Sequence, residues 1–167
     1  MLLLPSRFLL AVSLLAVLFL TVNTANADAV KANRINSNRA LAEDVNLRID
    51  TFDEVDRLFK ALRFKVVNQR STDRQGALEL SNQLVELTHH LPDLFAVPSA
   101  KEVFPQSRSR PEIWSRKAFF DTQMIEFVED LKDINDEIKA GSLTKAGQLI
   151  DVTAKGCRRC HNSFRYK

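Results

Sequence analysis

Only two cysteines, four glycines and five prolines occur among the 167 residues, with one tryptophan and one tyrosine. Two cysteines cannot build a disulfide framework, so whatever they do, they do as one pair. Scarce glycine and proline exclude a collagenous or low-complexity chain and argue against an all-β fold, whose many tight turns consume both. Charge of one sign is lacking as well. The 24 Lys and Arg against 21 Asp and Glu leave a formal +3, without the strongly basic domain that nucleic-acid binding displays. What remains is 45% hydrophobic, too apolar for a disordered chain and suited to one globular domain of long helices with few connections.

The most apolar stretch lies at the start. After Arg7 the chain runs from Phe8 to Val22 with hardly a polar side chain, then passes through small residues to Ala25, Asn26 and Ala27. This pattern reads as a secretory signal over residues 1–27 with an A-x-A cleavage site. The apolar run is shorter than the roughly 20 residues a membrane-spanning helix needs, so the expectation is a periplasmic protein with no membrane segment after cleavage. Loss of Arg7 with the leader keeps the mature chain near neutrality. Export places the cysteine pair in an oxidising compartment, where an idle pair tends to close or to be occupied.

Four apolar seams follow. From Val45 to Val66, Val45, Ile49, Phe52, Val55, Phe59, Leu62 and Val66 recur three or four apart, which is one helical stripe. The turn residues of Asn68 to Asp73 separate it from Ala77, Leu80, Leu84, Leu87 and Leu91, a second helix that Pro92 stops. The proline-rich stretch to Pro111 is the long connection of the molecule. A third helix, starting between Pro111 and Ser115, carries Phe120, Met124, Phe127, Leu131, Ile134 and Ile138, and Gly141 stands where a left-handed cap ends it. Ser142 is placed to cap the fourth, with Leu143, Ala146, Ile150, Thr153, Cys157, Cys160 and Phe164 along one side. No comparable window alternates with period two. The fold expected is all-α, an antiparallel up-down-up-down four-helix bundle over residues 45–167. Residues 28–44 are more polar and read as a flexible arm or a short extra helix.

The chemistry gathers at Cys157, Arg158, Arg159, Cys160 and His161. A lone CxxC says little, but CxxCH in an exported chain is the attachment sequence for c-type haem, whose vinyl groups take up two thiols. On a helix, Cys160 lies about 60° to one side of Cys157 and His161 about 40° to the other, so the three share an arc of about 100°. The imidazole one residue on is placed to reach the iron as proximal ligand. Three other readings of the pair stand beside this one. A thioredoxin-like dithiol sits at the start of a helix that follows a strand, whereas this pair is near the end of the last helix. Zinc needs about four ligands, and only His89 and His90 remain to complete a set. A structural disulfide between positions three apart on one helix requires distortion, and would suit an exported helical adaptor without haem.

The segment from Arg110 to Lys167, with RPEIWS, the AGSL turn and GCRRCHNSFRYK, resembles the third helix, turn and haem helix of the cytochromes c′. Before Pro92 the resemblance rests on helix order and scattered positions. It implies one covalently bound haem c at the C-terminal end of the bundle, with Cys157 and Cys160 as thioether cysteines and His161 as axial ligand to the iron. It further implies a basic residue, Arg165, near the proximal face. On the first helix it implies an arginine that meets a haem propionate and an apolar residue over the distal face, matched here by Arg48 and Phe52. Trp114 is expected beside the haem or the long connection.

The sixth coordination position separates the functions within this resemblance. Electron-carrying relatives supply a methionine from the first helix, but the methionines here are Met1 and Met124, and Met124 reads as core filler of the third helix. The expectation is five-coordinate, high-spin iron under an apolar pocket that admits NO or CO and passes single electrons. A low-spin electron-transfer cytochrome with an unrecognised sixth ligand, such as His89 or His90, is the alternative. No acid, base or nucleophile is placed by sequence to make an enzyme. Expected partners are diatomic gases, an unidentified redox protein, and a second copy through the first two helices. The outward Arg57, Lys60, Arg63 and Lys65 either weaken such a dimer by repulsion or attract an acidic partner.

Overall fold

The computed structural model describes the backbone of residues 7–167 and the side chains of residues 29–167; the side chains of the expected signal peptide lie outside that description. Five helices follow one another: α1 (Arg7–Arg63), α2 (Arg74–Thr88), α3 (Glu112–Ser115), α4 (Lys117–Lys139) and α5 (Leu143–Phe164). Residues 1–40 and 41–167 are separate compact units. In the first, the segment expected to be an arm or extra helix is helical, and its side chains from Ala29 to Ala40 are all exposed. The second is the antiparallel four-helix bundle, with no strand among the described residues. No described helix is long and apolar enough to cross a membrane.

Two apolar clusters fill the bundle. One joins Leu58 and Leu62 of α1, Leu84 of α2, Leu131, Ile134 and Ile138 of α4, and Ile150 of α5. Each of these side chains is worth about 1.5–3 kcal/mol on removal from water, so this cluster is the scaffold. The other gathers Leu91, Phe95, Ile113, Phe120, Met124 and Phe164, with Phe52, Trp114 and Cys160 against it. It occupies the end of the bundle where the cysteines lie. Within the first cluster, buried Asn135 donates through Nδ2 to Ser81 Oγ and Asn82 Oδ1, both at 2.8 Å, fixing α4 against α2 in one register.

The seams of α4 and α5 lie inward as the spacing requires, but the line on α1 is rotated. Val45, Arg48, Thr51, Val55, Leu58, Leu62 and Val66 are buried, while Ile49, Phe52 and Phe59 are half-buried. A strict apolar template passes over Arg48 and Thr51 because their polar tips are satisfied inside the protein. The first helix also ends differently: α1 stops at Arg63 and one wide turn, Phe64–Asn68, carries the chain out. α2 ends at Thr88, three residues short of the expected Leu91, because a residue before proline is pushed out of helical geometry. The third helix is broken at Arg116, with φ −124° and ψ 40°, into α3 and α4. Ser142 stands at the α5 N-cap position without a side-chain cap hydrogen bond.

Two connections yield tests. Gly141 has φ +83°, the left-handed geometry expected, with open space around its Cα. Gly141→Ala therefore meets backbone strain alone and should destabilise the fold by about 1–2 kcal/mol in urea denaturation; an unchanged midpoint would contradict a strained cap. Asp73 caps α2 through Gly76 N at 2.9 Å and also accepts from Lys65 Nζ at 2.6 Å. The Lys65 ammonium first, then the Gly76 amide, hold its carboxyl below the ordinary range. A depressed carboxylate lends stability above its unfolded-state value and loses it as pH falls through the folded-state value. The melting-point deficit of Asp73→Ala should accordingly be larger at pH 7 than at pH 3, and a deficit that does not shrink in acid would refute the assignment.

Candidate haem-attachment site

Helix α5 brings the motif to the second apolar cluster. Its inward face buries Ala146, Ile150, Thr153 and Phe164, and one turn beyond Thr153 come Cys157 and Cys160, both partly buried and both free. Burial pushes the Cys160 thiol up to about 11 and raises that of Cys157 as well. Both sulfurs are thus protonated at neutral pH and held as compact apolar groups, unlike the thiolates of a metal or redox centre. Cys160 packs against the aromatic cluster. Among the described residues no three His, Cys, Asp or Glu side chains converge on one point.

His161 follows on the same side of the helix with its edge exposed. Burial, then the charges of Arg165 and Arg108, lower its imidazole below the ordinary histidine value, so the ring is neutral at pH 7 with a lone pair to give. Arg165 Nη1 is 3.5 Å from His161 Nδ1, which places the sequence-predicted basic residue against the imidazole. The end of α5 is fixed there by the long connection. Arg110 N donates to Phe164 O at 2.9 Å, Tyr166 N donates to Arg108 O at 2.8 Å, and Ser109 and Arg165 form one antiparallel bridge. Tyr166 Oη closes the clasp on Glu102 Oε1 at 2.8 Å.

Across the cluster stand the two α1 residues named from the sequence. Phe52 meets Phe95 edge-on at 6.3 Å between ring centroids and belongs to the same cluster as Cys160. Arg48, at 3% exposure, stacks its guanidinium 4.5 Å from the Phe95 ring centroid. It donates to Ser99 Oγ and Ser107 Oγ, both at 3.0 Å, and to the carbonyls of Leu94 and Ser99 at 3.3 Å. Burial lowers its pKa to about 10, partly offset by Asp44, so it remains a cation. No described carboxylate forms an ion pair with it. Trp114 donates from Nε1 to Phe95 O at 3.0 Å and thereby pins the connection to the same ring.

Met124 is 4% exposed inside the cluster, as a core filler. His89 and His90 are exposed beyond the end of α2, their rings stacked at 3.9 Å. Ser99, Ser107, Phe95 and Tyr166 complete the surroundings and were not marked by sequence pattern. The signal for the serines was indirect: a buried arginine on an apolar stripe demands acceptors, and the connection is where hydroxyls are plentiful.

The donor set fits a covalently held haem. Two unoxidised cysteines stand one helical turn apart, the second of them against aromatic rings able to flank a flat apolar macrocycle. A neutral imidazole follows at once, and a buried cation lacks an anion.

Comparison with known proteins agrees. Residues 43–165 match the family model described as cytochrome c′. Cytochrome c-556 of Rhodopseudomonas palustris is 32% identical over 96 residues, which cover 56% of this chain and 63% of that protein, so the match spans under two thirds of the relative. Among solved structures, cytochrome c prime from Shewanella frigidimarina superposes with a TM-score of 0.68 at 18% identity, covering 76% of this chain and 97% of that one. A ferrous variant of cytochrome c prime from Alcaligenes xylosoxidans with bound NO gives 0.66 at 21% identity, covering 74% and 94%.

Proposed function

The chain belongs to the cytochrome c′ family, which carries one covalent haem c, and from that premise we propose that it is a periplasmic gas-binding and one-electron haem protein. Cys157 and Cys160 form the two thioether bonds and His161 supplies the axial nitrogen. The observation that carries this reading is the meeting of CxxCH with the aromatic end of the bundle, the imidazole kept neutral beside it.

When bound, the haem supplies an iron with one coordination position for a diatomic ligand and one reversible electron. The chain's own residues do the rest. Cys157 and Cys160 would hold the macrocycle edge to α5. His161 would donate its lone pair, with burial first and then Arg165 and Arg108 favouring the uncharged ring, so that no proton competes for the ligating nitrogen. Phe52 presents an apolar surface from α1, with no hydrogen-bond donor to stabilise a polarised ligand, which favours NO and CO over O₂. Arg48 provides a buried positive charge complementary to a propionate. Met124 sits on α4 in the core and α1 carries no methionine between Ala29 and Arg63, which supports a five-coordinate, high-spin centre over the low-spin alternative. On this reading the activity is binding and electron exchange without turnover of a substrate.

The test is the optical spectrum of the purified protein in both oxidation states, before and after addition of NO. A ferrous high-spin spectrum that shifts on NO addition supports the proposal. A low-spin six-coordinate ferrous spectrum with no ligand added contradicts it.

A further inference from the structure

The cations of this chain divide into two populations. Those named on the first helix and its outgoing turn are paired: Arg57 with Glu54, Lys60 with Asp56, Arg63 with Asp151 and Lys65 with Asp73, all within 2.9 Å. Each is matched by a carboxylate, so the basic face expected on α1 is largely neutralised at close range. Around the attachment motif the opposite holds. Residues 155–167 contain Lys155, Arg158, Arg159, Arg165 and Lys167 and not one Asp or Glu. None of these side chains, nor Arg108, forms an ion pair among the described residues.

Geometry draws them together. Arg165 Nη1 lies 3.5 Å from His161 Nδ1, and Arg158 and Arg159 stand between the two cysteines. The backbone pairing of 108–110 with 164–166 locks Arg108 to the end of α5. On the helical wheel Arg158 lies roughly 60° from His161, on the solvent side. The acids are concentrated on α4, which carries Asp121, Glu126, Glu129, Asp130, Asp133, Asp136 and Glu137 against three lysines; Asp130 faces α5, where Thr153 Oγ1 donates to it at 3.1 Å, and forms no ion pair with the arginines of the motif among the described residues. Holding like charges together without counterions raises the local field, and on a surface free of internal partners the compensating charge must come from outside.

We infer that the exposed arginine rim at the end of α5, completed by Arg108 of the long connection, is the docking surface for the acidic face of an electron-exchange partner protein. The inference rests on the haem reading above, since an electron partner profits from docking next to the attachment motif. An acidic protein face suits the rim because each guanidinium group matches carboxylate geometry bidentately. Charge pairs of this kind chiefly accelerate encounter and fix orientation, and they weaken with salt.

The probe is flavodoxin hydroquinone, an acidic one-electron flavoprotein, mixed with the haem-loaded protein. The anionic hydroquinone gives one electron to the ferric centre and becomes the neutral semiquinone, with no proton transferred. Binding is followed by amide chemical shifts and by the dissociation constant at several salt concentrations, and transfer by the second-order rate. The shifts are expected to centre on residues 108 and 155–165, and affinity and rate to fall together as salt rises. R158E/R159E and, separately, R108E should each weaken binding about tenfold or more and flatten the salt dependence, while R57E/K60E on α1 stays within about twofold. Melting curves establish that each variant is folded, and the haem absorbance per chain establishes that each is loaded, so binding is compared only between equally loaded proteins. Shifts centred elsewhere, or an equal loss in the α1 variant, overturn the inference. So does salt-dependent capture by phosphatidylglycerol vesicles through the same arginines with no flavodoxin binding, which assigns the rim to a lipid surface. A sample lacking haem absorbance refutes the haem reading separately, because the shift map still reports docking.

Discussion

Replacing both Cys157 and Cys160 by alanine should abolish covalent haem, leaving a chain that shows no peroxidase stain on a denaturing gel. Either single replacement should leave one thioether and a stained band of reduced yield. The expectation follows from counting as much as from geometry. The chain has no other cysteine, so no neighbouring sulfur can substitute. Both thiols are uncharged, and Cys160 packs against the aromatic cluster, where a flat apolar ligand gains by leaving water. The helix itself should tolerate the change, since the scaffold cluster of Leu58, Leu84, Leu131, Ile134 and Ile150 does not include the pair and alanine is the best helix former. Retained helicity with complete loss of covalent haem is the predicted result. A double variant that still stains after denaturation would place the attachment elsewhere.

Replacing Arg48 by leucine should cost about 3 kcal/mol in denaturant unfolding, by the loss of charge-assisted hydrogen bonds and the stranding of their acceptors. The arginine serves two hydroxyls and two carbonyls of the long connection at once, and its guanidinium also covers the Phe95 ring. Leucine fills much of the volume but satisfies none of those oxygens. Arg48→Lys should restore little, because a single ammonium cannot span Ser99 and Ser107 as the planar fork does. The loss is expected to appear first as looser protection of residues 94–107 in hydrogen exchange, since those residues own the stranded acceptors. A destabilisation below about 1 kcal/mol would show that water replaces the guanidinium at no cost.

These two sites, a cysteine pair on an anticipated helix face and a cation on an apolar stripe, mark where sequence legibility ends. α4 and α5 are readable because every third or fourth side chain is apolar and the core needs nothing else there. Gly141 is readable because its positive φ admits few residues. On α1 the apolar count favours Phe52 and Phe59 as fully inward, yet the structure turns Arg48, Thr51 and Leu58 inward in their place, since hydrogen bonding to a distant connection outweighs the local pattern. The break at Arg116 arises from how α3 seats in the aromatic cluster, a tertiary effect without a local signature. The basic face of α1 misleads for a similar reason: Arg63 finds Asp151, 88 residues away, and no window along the chain contains both. The attachment motif is legible from five residues because its chemistry fixes their spacing. Its surroundings are not, since Ser99, Ser107 and Tyr166 acquire their roles only when the connection folds back over α1 and α5.

The most direct measurement is tandem mass spectrometry of peptides from protein matured in a host competent for haem ligation. The account predicts one haem mass per chain, carried by fragments containing Cys157 and Cys160, with both sulfurs modified. Fragments spanning 155–162 that carry only their own amino acids, from fully matured protein, would contradict it.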